Sequence, residues 1–371
     1  MTAASAVHPS PLLALPGAVD GTGRDAGVPA HYGNPLGEQR ALAEGHALVQ
    51  LPRGVVTVTG PDRLSWLDSL TSQRLLGLPV GASAESLLLD PQGRVEHDLR
   101  VVDDGETAWL LVERDEAASL SAFLDRMRFM LRVEVADRSS DFAVLGGTAP
   151  ATAVGTPPAV WSDSWSAIAP GGVGYAAPAT HPAADWTWSE TIVPVAALGE
   201  LAALGESGTV RLAGMLAAEA LRIAAWRPRL GADTDERTIP HEVDWLRSAV
   251  HLAKGCYRGQ ETVAKVHNLG RPPRRIVMLN VDGSEGIAVP AGAPVVDSAG
   301  REVGAVTSSA LHYELGPIAL AVVKRSAPSD APLAVLVDGL SVAAAQEVIV
   351  PADAGHAVEV PRLPRLGARA R

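Results

Sequence analysis

One cysteine in 371 residues limits how this chain can be held together. No intrachain disulfide can form, so a disulfide-stapled secreted scaffold is excluded. Zinc sites that need two or more thiolates are excluded too, and no metal site is expected. Hydrophobic burial must therefore stabilise the fold. The chain is 47% hydrophobic and 20% charged, an ordinary globular balance. Aromatic residues supply only 4%, so the core has to be built from Ala, Val and Leu. The length suggests two or three domains. No apolar run reaches the roughly 18 residues of a membrane span, and no membrane association is expected. Residues 1–23 carry no Lys or Arg and are broken by Pro9, Pro11 and Pro16. That is a poor signal peptide, and the cytosol is the expected location. A net charge of −11 argues against a global attraction to nucleic acid or anionic lipid, but leaves room for a local basic patch.

Residues 1–35, rich in Ala, Gly and Pro, show no sustained period and are predicted to be a disordered lead-in. Val55 to Thr59 is β-branched and reads as a strand. Leu64, Leu67 and Leu70 then recur at helical spacing, with Asp62 placed to cap. Residues 86–90 and 95–102 read as a hairpin around the turn Asp90-Pro91-Gln92-Gly93. Residues 107–113 form another strand. Residues 115–130 form a helix with Leu120, Phe123, Leu124 and Met127 on one face, and 131–135 a strand. This order describes an α+β lobe over about 54–146. A second lobe is expected from 36–53 plus 160–265. It contains the aromatic-rich stretch Trp161 to Trp188 and helices over 195–206 and 210–226. Beyond Arg271-Pro272-Pro273, short strands at 275–281, 294–297, 302–308, 317–324 and 333–337 predict a small β-barrel over 272–350. Residues 351–371 are predicted to be a disordered tail.

The chemistry concentrates in Lys254-Gly255-Cys256-Tyr257-Arg258-Gly259-Gln260-Glu261. The only thiol lies between two cations in sequence. Two glycines would let the backbone turn and approach a ligand. If residues 257–267 are helical, Cys256 sits near a helix N-terminus, and the dipole and cations would both favour thiolate. A buried structural cysteine is the competing reading. Gln260 and Glu261 could read the donor and acceptor edge of a heterocycle, or form a solvated helix face. Between 254 and 275, six basic residues face one acidic residue, which suggests an anion site or a plain basic linker. Arg222, late in a predicted helix, could fork onto a carboxylate. Alternation puts His97 and Asp98 on opposite faces of a strand, so they make no ready dyad.

These residues resemble the signature of the YgfZ-type folate-binding proteins, relatives of the glycine-cleavage T protein, an aminomethyltransferase. Leu221-Arg222-Ile223, Gly231, Ile239-Pro240-His241-Glu242 and Gly270 fit the same pattern. So do Gly60-Pro61-Asp62, Leu70-Thr71-Ser72-Gln73 and Leu89 to Arg94. The resemblance implies two α+β lobes and a small C-terminal β-barrel around a central folate channel. It implies a tetrahydrofolate-binding accessory protein for assembly or repair of iron–sulfur enzymes, with iron–sulfur client proteins as partners. An effect on tRNA modification would be indirect. Cys256 matches the functional cysteine and Lys254 its neighbour. Asp98, Arg222, Tyr257, Arg258, Gln260 and Glu261 are the residues expected around the folate.

The chain departs from the T protein where that family pairs aspartates, since it has His97-Asp98. It has Ala224-Ala225-Trp226 where Glu-Ala-Gly is usual, and no Gly-Tyr-Thr-Gly-Glu segment around residues 172–177. Glycine-cleavage activity is therefore not expected, although folate-dependent one-carbon transfer is the alternative function, with Asp98 as its remaining carboxylate. Direct RNA binding through 254–275 is disfavoured by the acidic chain.

Overall fold

The computed structural model describes residues 9–176 and 181–357. The first lobe is an antiparallel sheet of β4 (Arg53–Thr59), β5 (Ser83–Leu89), β6 (Val95–Asp103), β7 (Thr107–Glu113) and β8 (Glu134–Asp137), in the order β5-β6-β7-β4-β8. Strand alternation divides its side chains between two faces. Val56, Val58, Leu88, Leu99, Val101, Leu110 and Val112 pack under α2 (Arg63–Leu70) and α3 (Ala117–Met127), against Trp66, Leu67, Leu120 and Leu124. Val55, Val102, Trp109 and Leu111 point the other way, into a core shared with the second lobe. Glu85, Asp98 and Arg100 share this second face by register, since Glu85 pairs Arg100 and Leu87 pairs Asp98 across the hairpin. The strand pattern thus sends charged side chains into an inter-lobe boundary.

The second lobe is a sheet of β3 (Ala47–Leu51), β9 (Phe142–Gly147), β10 (Val160–Ser162), β11 (Ser189–Pro194) and β12 (Arg211–Ala213), in the order β10-β11-β9-β3-β12. Only β12 and β3 pair in parallel. Helices α1 (Pro35–Ala43), α4 (Ala197–Glu206) and α5 (Met215–Ala224) belong to it. The expected lobe boundary is corrected here. Residues 142–146, assigned by sequence to the first lobe, form β9, which hydrogen-bonds to β3 and β11 of the second. The helix expected over 210–226 is also divided, into β12 and α5.

The disordered lead-in is corrected for residues 9–35. They form the hairpin β1 (Val19–Asp20) and β2 (Pro29–His31), two short 3-10 turns and the start of α1. Leu12 and Val28 are completely buried. The segment shows no period because it is irregular, yet it inserts single apolar anchors. Residues 1–8 lie outside the described residues.

The barrel closes with six strands: β13 (Arg274–Val281), β14 (Pro294–Val296), β15 (Glu302–His312), β16 (Gly316–Lys324), β17 (Leu333–Val337) and β18 (Leu340–Val348), in the order β13-β16-β15-β14-β17-β18. The sequence reading omits β18. Its centre, Ala343-Ala344-Ala345-Gln346, lacks the β-branched residues that mark a strand. Only ladder pairing with β13 and β17 identifies it. The tail expectation is corrected for residues 351–357. Ala354 is buried, and Ala357 N–H donates to His267 O at 3.0 Å. Residues 358–371 lie outside the described residues. Helix α6 (Gln260–Leu269) precedes the barrel.

Candidate functional site

The segment Trp226-Arg227-Pro228-Arg229 leaves α5 and runs between the lobes, with its two arginines reaching different partners. Arg227 donates to Asp163 at 3.0 Å and to Glu85 at 2.7 Å. Arg229 pairs with Glu113 at 2.8 Å, Asp25 at 2.8 Å and Glu219 at 3.0 Å. Arg53 bridges Glu113 and Glu190. Arg100 lies 3.2 Å from Asp98 and 3.3 Å from Glu190. Arg222 holds Glu219 and Asp233. Eight carboxylates thus share five guanidiniums across strands, helices and the lead-in.

Part of this network, Arg53, Arg100, Asp163, Glu190, Glu219, Arg222, Arg227 and Arg229, lines a narrow cleft with a cavity volume of about 40 Å³. Leu51, Met215 and Ala218 give it an apolar side. Trp186 and Trp188, stacked 5.5 Å apart, give it an aromatic one. Trp186 also donates its indole N–H to Asp163 at 3.0 Å.

The electrostatics differ along the cleft. Burial alone would raise Glu219, but Arg222 and Arg229 outweigh it and hold the carboxyl at about 2. Arg53 and Arg229 likewise overcome burial at Glu113, which lies well below the usual range. At Glu85 and Asp163 burial wins over Arg227, with Asp98 adding to it at Glu85 and Glu85 adding to it at Asp163, so both are pushed up. One end is therefore firmly ionised and the other favours protons or N–H donors. Several buried atoms there lack a hydrogen-bond partner among the described residues. They are Glu85 Oε2, Asp98 Oδ1 and Arg227 Nη1, while Arg100 Nη1 and Nε make ion pairs with Asp98 and Glu190 without hydrogen-bond geometry. Buried polar atoms are normally paired, so this set marks room for a ligand's polar edge.

Of the residues singled out by sequence, Arg222 lines the cleft, and Asp98 is buried beside it against Arg100. Arg222 is also a structural tie. It donates to Ser308 Oγ at 2.7 Å, fastening α5 to β15. His97 points to the opposite face, 2.6 Å from Glu116, as alternation predicts. The other six lie in 254–261 and do not line the cleft.

Lys254 is buried. Its Nζ donates to the carbonyls of Asp68 at 2.5 Å, Gln73 at 2.7 Å and Thr71 at 2.8 Å. Burial lowers its pKa, opposed by Asp68. Arg258 forks onto Glu96, with its closer contact at 2.5 Å. Tyr257 is buried in the core, which pushes its hydroxyl up, and Gln260 reaches Lys254 O at 3.4 Å. Glu261 and Cys256 are exposed.

Two expectations about this segment are corrected. Helix α6 begins at Gln260, four residues after Cys256, and both cations face other partners. The helix end and the cations are therefore not arranged around the thiol. Gly259, at φ 83°, approaches protein and not a ligand: a Cβ there would lie 2.6 Å from Asp90 O. The signature packs on the Asp90–Gly93 turn of the first lobe.

Comparison with solved structures places this architecture. The glycine cleavage system aminomethyltransferase T from Bartonella henselae superposes with a TM-score of 0.71 at 20% identity, covering 91% of this chain and 94% of that one. The chain has the aminomethyltransferase T fold. Sequence similarity runs in the same direction. An aminomethyltransferase of Corynebacterium jeikeium is 23% identical over 342 residues, covering 81% of this chain and 85% of that protein. One from Saccharopolyspora erythraea is 27% identical over 314 residues, covering 80% and 84%. Residues 274–352 match the family described as CAF17, C-terminal beta-barrel domain. Among the described residues, no helix is long and apolar enough to cross a membrane.

The sequence reading missed most of the cleft, Arg53, Asp163, Glu190, Glu219, Arg227 and Arg229, and the acids Glu85 and Glu113 paired with its arginines. A signal was present. Arg100 stands between Leu99 and Val101 in the sequence, and a charge inside such an apolar stretch needs a buried partner.

Proposed function

We propose that this chain binds a tetrahydrofolate-class pterin in the inter-lobe cleft and serves, in the cytosol, as an accessory protein for assembly or repair of iron–sulfur enzymes. The observation that carries the reading is the set of buried atoms without a hydrogen-bond partner, Glu85 Oε2, Asp98 Oδ1 and Arg227 Nη1, beside the stacked Trp186 and Trp188. A pterin is a flat ring with N–H donors on one edge and acceptors beside them. The open oxygens of Glu85 and Asp98 suit its donors, and the free N–H of Arg227 suits its acceptors. These residues fit the group, and the aminomethyltransferase fold supports the choice of ligand. When bound, tetrahydrofolate would supply nitrogens able to carry a one-carbon unit. Arg100 and Arg227 would orient the ring, while Trp186, Trp188 and Leu51 would exclude water.

The iron–sulfur role is supported by the CAF17-type barrel and by the resemblance of residues 254–261 to the YgfZ-type signature. Exposed Cys256 is the functional thiol in this reading, and Lys254 sets the shape of the loop that presents it. One thiolate cannot hold a cluster that needs four, so a client or a small thiol would supply the others. Effects on tRNA modification would follow from client enzymes. One-carbon transfer is the second reading, favoured by the free Oδ1 of Asp98. No second carboxylate stands beside Asp98 in the strand, because His97 occupies that position and faces away.

The test is the activity of iron–sulfur enzymes under oxidative load in cells lacking the gene, restored by wild-type protein or by Cys256→Ser. Restoration by wild type alone, with folate binding intact in both, supports the reading. Equal restoration removes the thiol from it.

A further inference from the structure

Trp165 is fully buried, with two guanidiniums against it. Arg227 Cζ lies 4.8 Å and Arg247 Cζ 5.7 Å from its ring centroid. His181 meets the same indole at 5.9 Å, and also packs on Trp226 at 5.2 Å. Arg227 and Arg247 are 3% exposed and His181 6%. Each keeps one buried nitrogen without a partner among the described residues: Arg227 Nη1, Arg247 Nη2 and His181 Nε2.

All three nitrogens are donors. Guanidinium nitrogens only donate. His181 Nδ1 accepts the Ala183 N–H at 3.1 Å. Burial, with Arg247 nearby, lowers the ring to about 4, so at neutral pH its one proton sits on Nε2.

The neighbouring carboxylates are turned to other atoms. Asp163 and Glu85 take Arg227 Nε and Nη2, and Asp244 takes Arg247 Nε at 3.2 Å. The free Oε2 of Glu85 belongs to a carboxyl that burial pushes up, which weakens its repulsion of an anion. Position 174 is glycine, and a Cβ there would stand 3.1 Å from Arg247 Nη2, so that nitrogen keeps its space. Buried donors without acceptors are costly, so these three nitrogens call for an acceptor.

We infer that Arg227, Arg247 and His181 form an oxyanion subsite around Trp165, taking the carboxylate or phosphate group of a ligand. Arg247, His181 and Trp165 do not line the inter-lobe cleft. Arg227 belongs to both, so the subsite adjoins the cleft. The inference does not rest on a folate ligand, because any small oxyanion can report it.

The test uses the full-length protein, titrated with inorganic phosphate and, separately, with acetate. A chloride titration of equal ionic strength is the control. Tryptophan emission and the thermal midpoint are followed. The expected result is a saturable response to phosphate, which assigns a phosphate group, or to acetate, which assigns a carboxylate. Arg247→Gln should weaken it roughly tenfold or more, the loss expected for a charged hydrogen bond. That variant also strips a partner from buried Asp244, so His181→Phe is the second variant. It keeps the aromatic contacts, removes the Nε2 donor together with the Nδ1 acceptor of Ala183 N–H, and leaves Asp244 paired, and it should weaken binding as well. Trp165→Phe should lose the emission change but keep the thermal shift. A response matched by chloride, or equal in wild type and both donor variants, would overturn the inference. So would no response, which would leave these donors to buried water.

Discussion

Replacing Lys254 separates a structural cation from a chemical one. In the fold, its ammonium ties together the carbonyls of residues 68, 71 and 73 at the end of α2, and lies 3.4 Å from Asp68 Oδ1. Lys254→Met keeps the stem and removes the donors. Hydrogen bonds to a charged group contribute about 1.5–3 kcal/mol each, and a lost partner leaves buried carbonyls unsatisfied. The three bonds share one nitrogen, and the desolvation of Lys254 offsets part of the gain. A net loss of about 3 kcal/mol is therefore expected, well below the simple total. Urea unfolding at pH 7 measures it, with the midpoint shifted and the slope unchanged. Lys254→Arg should recover little, because a planar fork cannot reach three carbonyls set around one point. Wild-type stability in Lys254→Met, together with lost cellular function, would refute this reasoning and assign the ammonium a chemical role.

Four further outcomes follow from the buried charges and anchors. Glu113→Gln should destabilise the protein by about 3–5 kcal/mol in urea unfolding, because Arg53 and Arg229 lose a shared partner. Asp244 is raised to about 6, by burial above all, so its ionised form is the unfavourable one. Its contribution is favourable below about pH 4 and is lost as pH rises through 6. Asp244→Asn should therefore flatten the stability profile between pH 4 and 7 by about 2–3 kcal/mol, read from urea midpoints. Glu219, held at about 2, has the opposite sign: its contribution is present above about pH 4.5 and fades as pH falls toward 2. Leu12→Ala should cost about 2–5 kcal/mol by calorimetry, a penalty that a disordered lead-in would not show.

Regular alternation and periodicity made much of the fold legible. The hairpin at residues 83–103, helix α3 and five of the six barrel strands follow from the apolar pattern. Placement of His97 and Asp98 on opposite faces followed from strand period alone. The parts that stayed hidden depend on long-range pairing. Strand β18 is alanine-rich and exists through its neighbours, while β9 changes lobe because β3 and β11 flank it. The cleft was harder still. Its ion pairs join residues as distant in sequence as Asp25 and Arg229, and no local window contains both. The signature at 254–261 was conspicuous locally, yet much of it serves packing: Lys254 onto carbonyls, Gly259 onto a turn, Tyr257 into the core.

Binding of tetrahydrofolate to the purified protein, measured anaerobically by tryptophan fluorescence, tests the central claim most directly. Trp186 and Trp188 line the cleft and should report occupancy. Saturable binding is expected for wild type and for Cys256→Ala, with binding at least tenfold weaker in Arg100→Met, which removes a guanidinium that lines the cleft. Absence of saturable binding by the wild type, or equal binding by Arg100→Met, would contradict that claim.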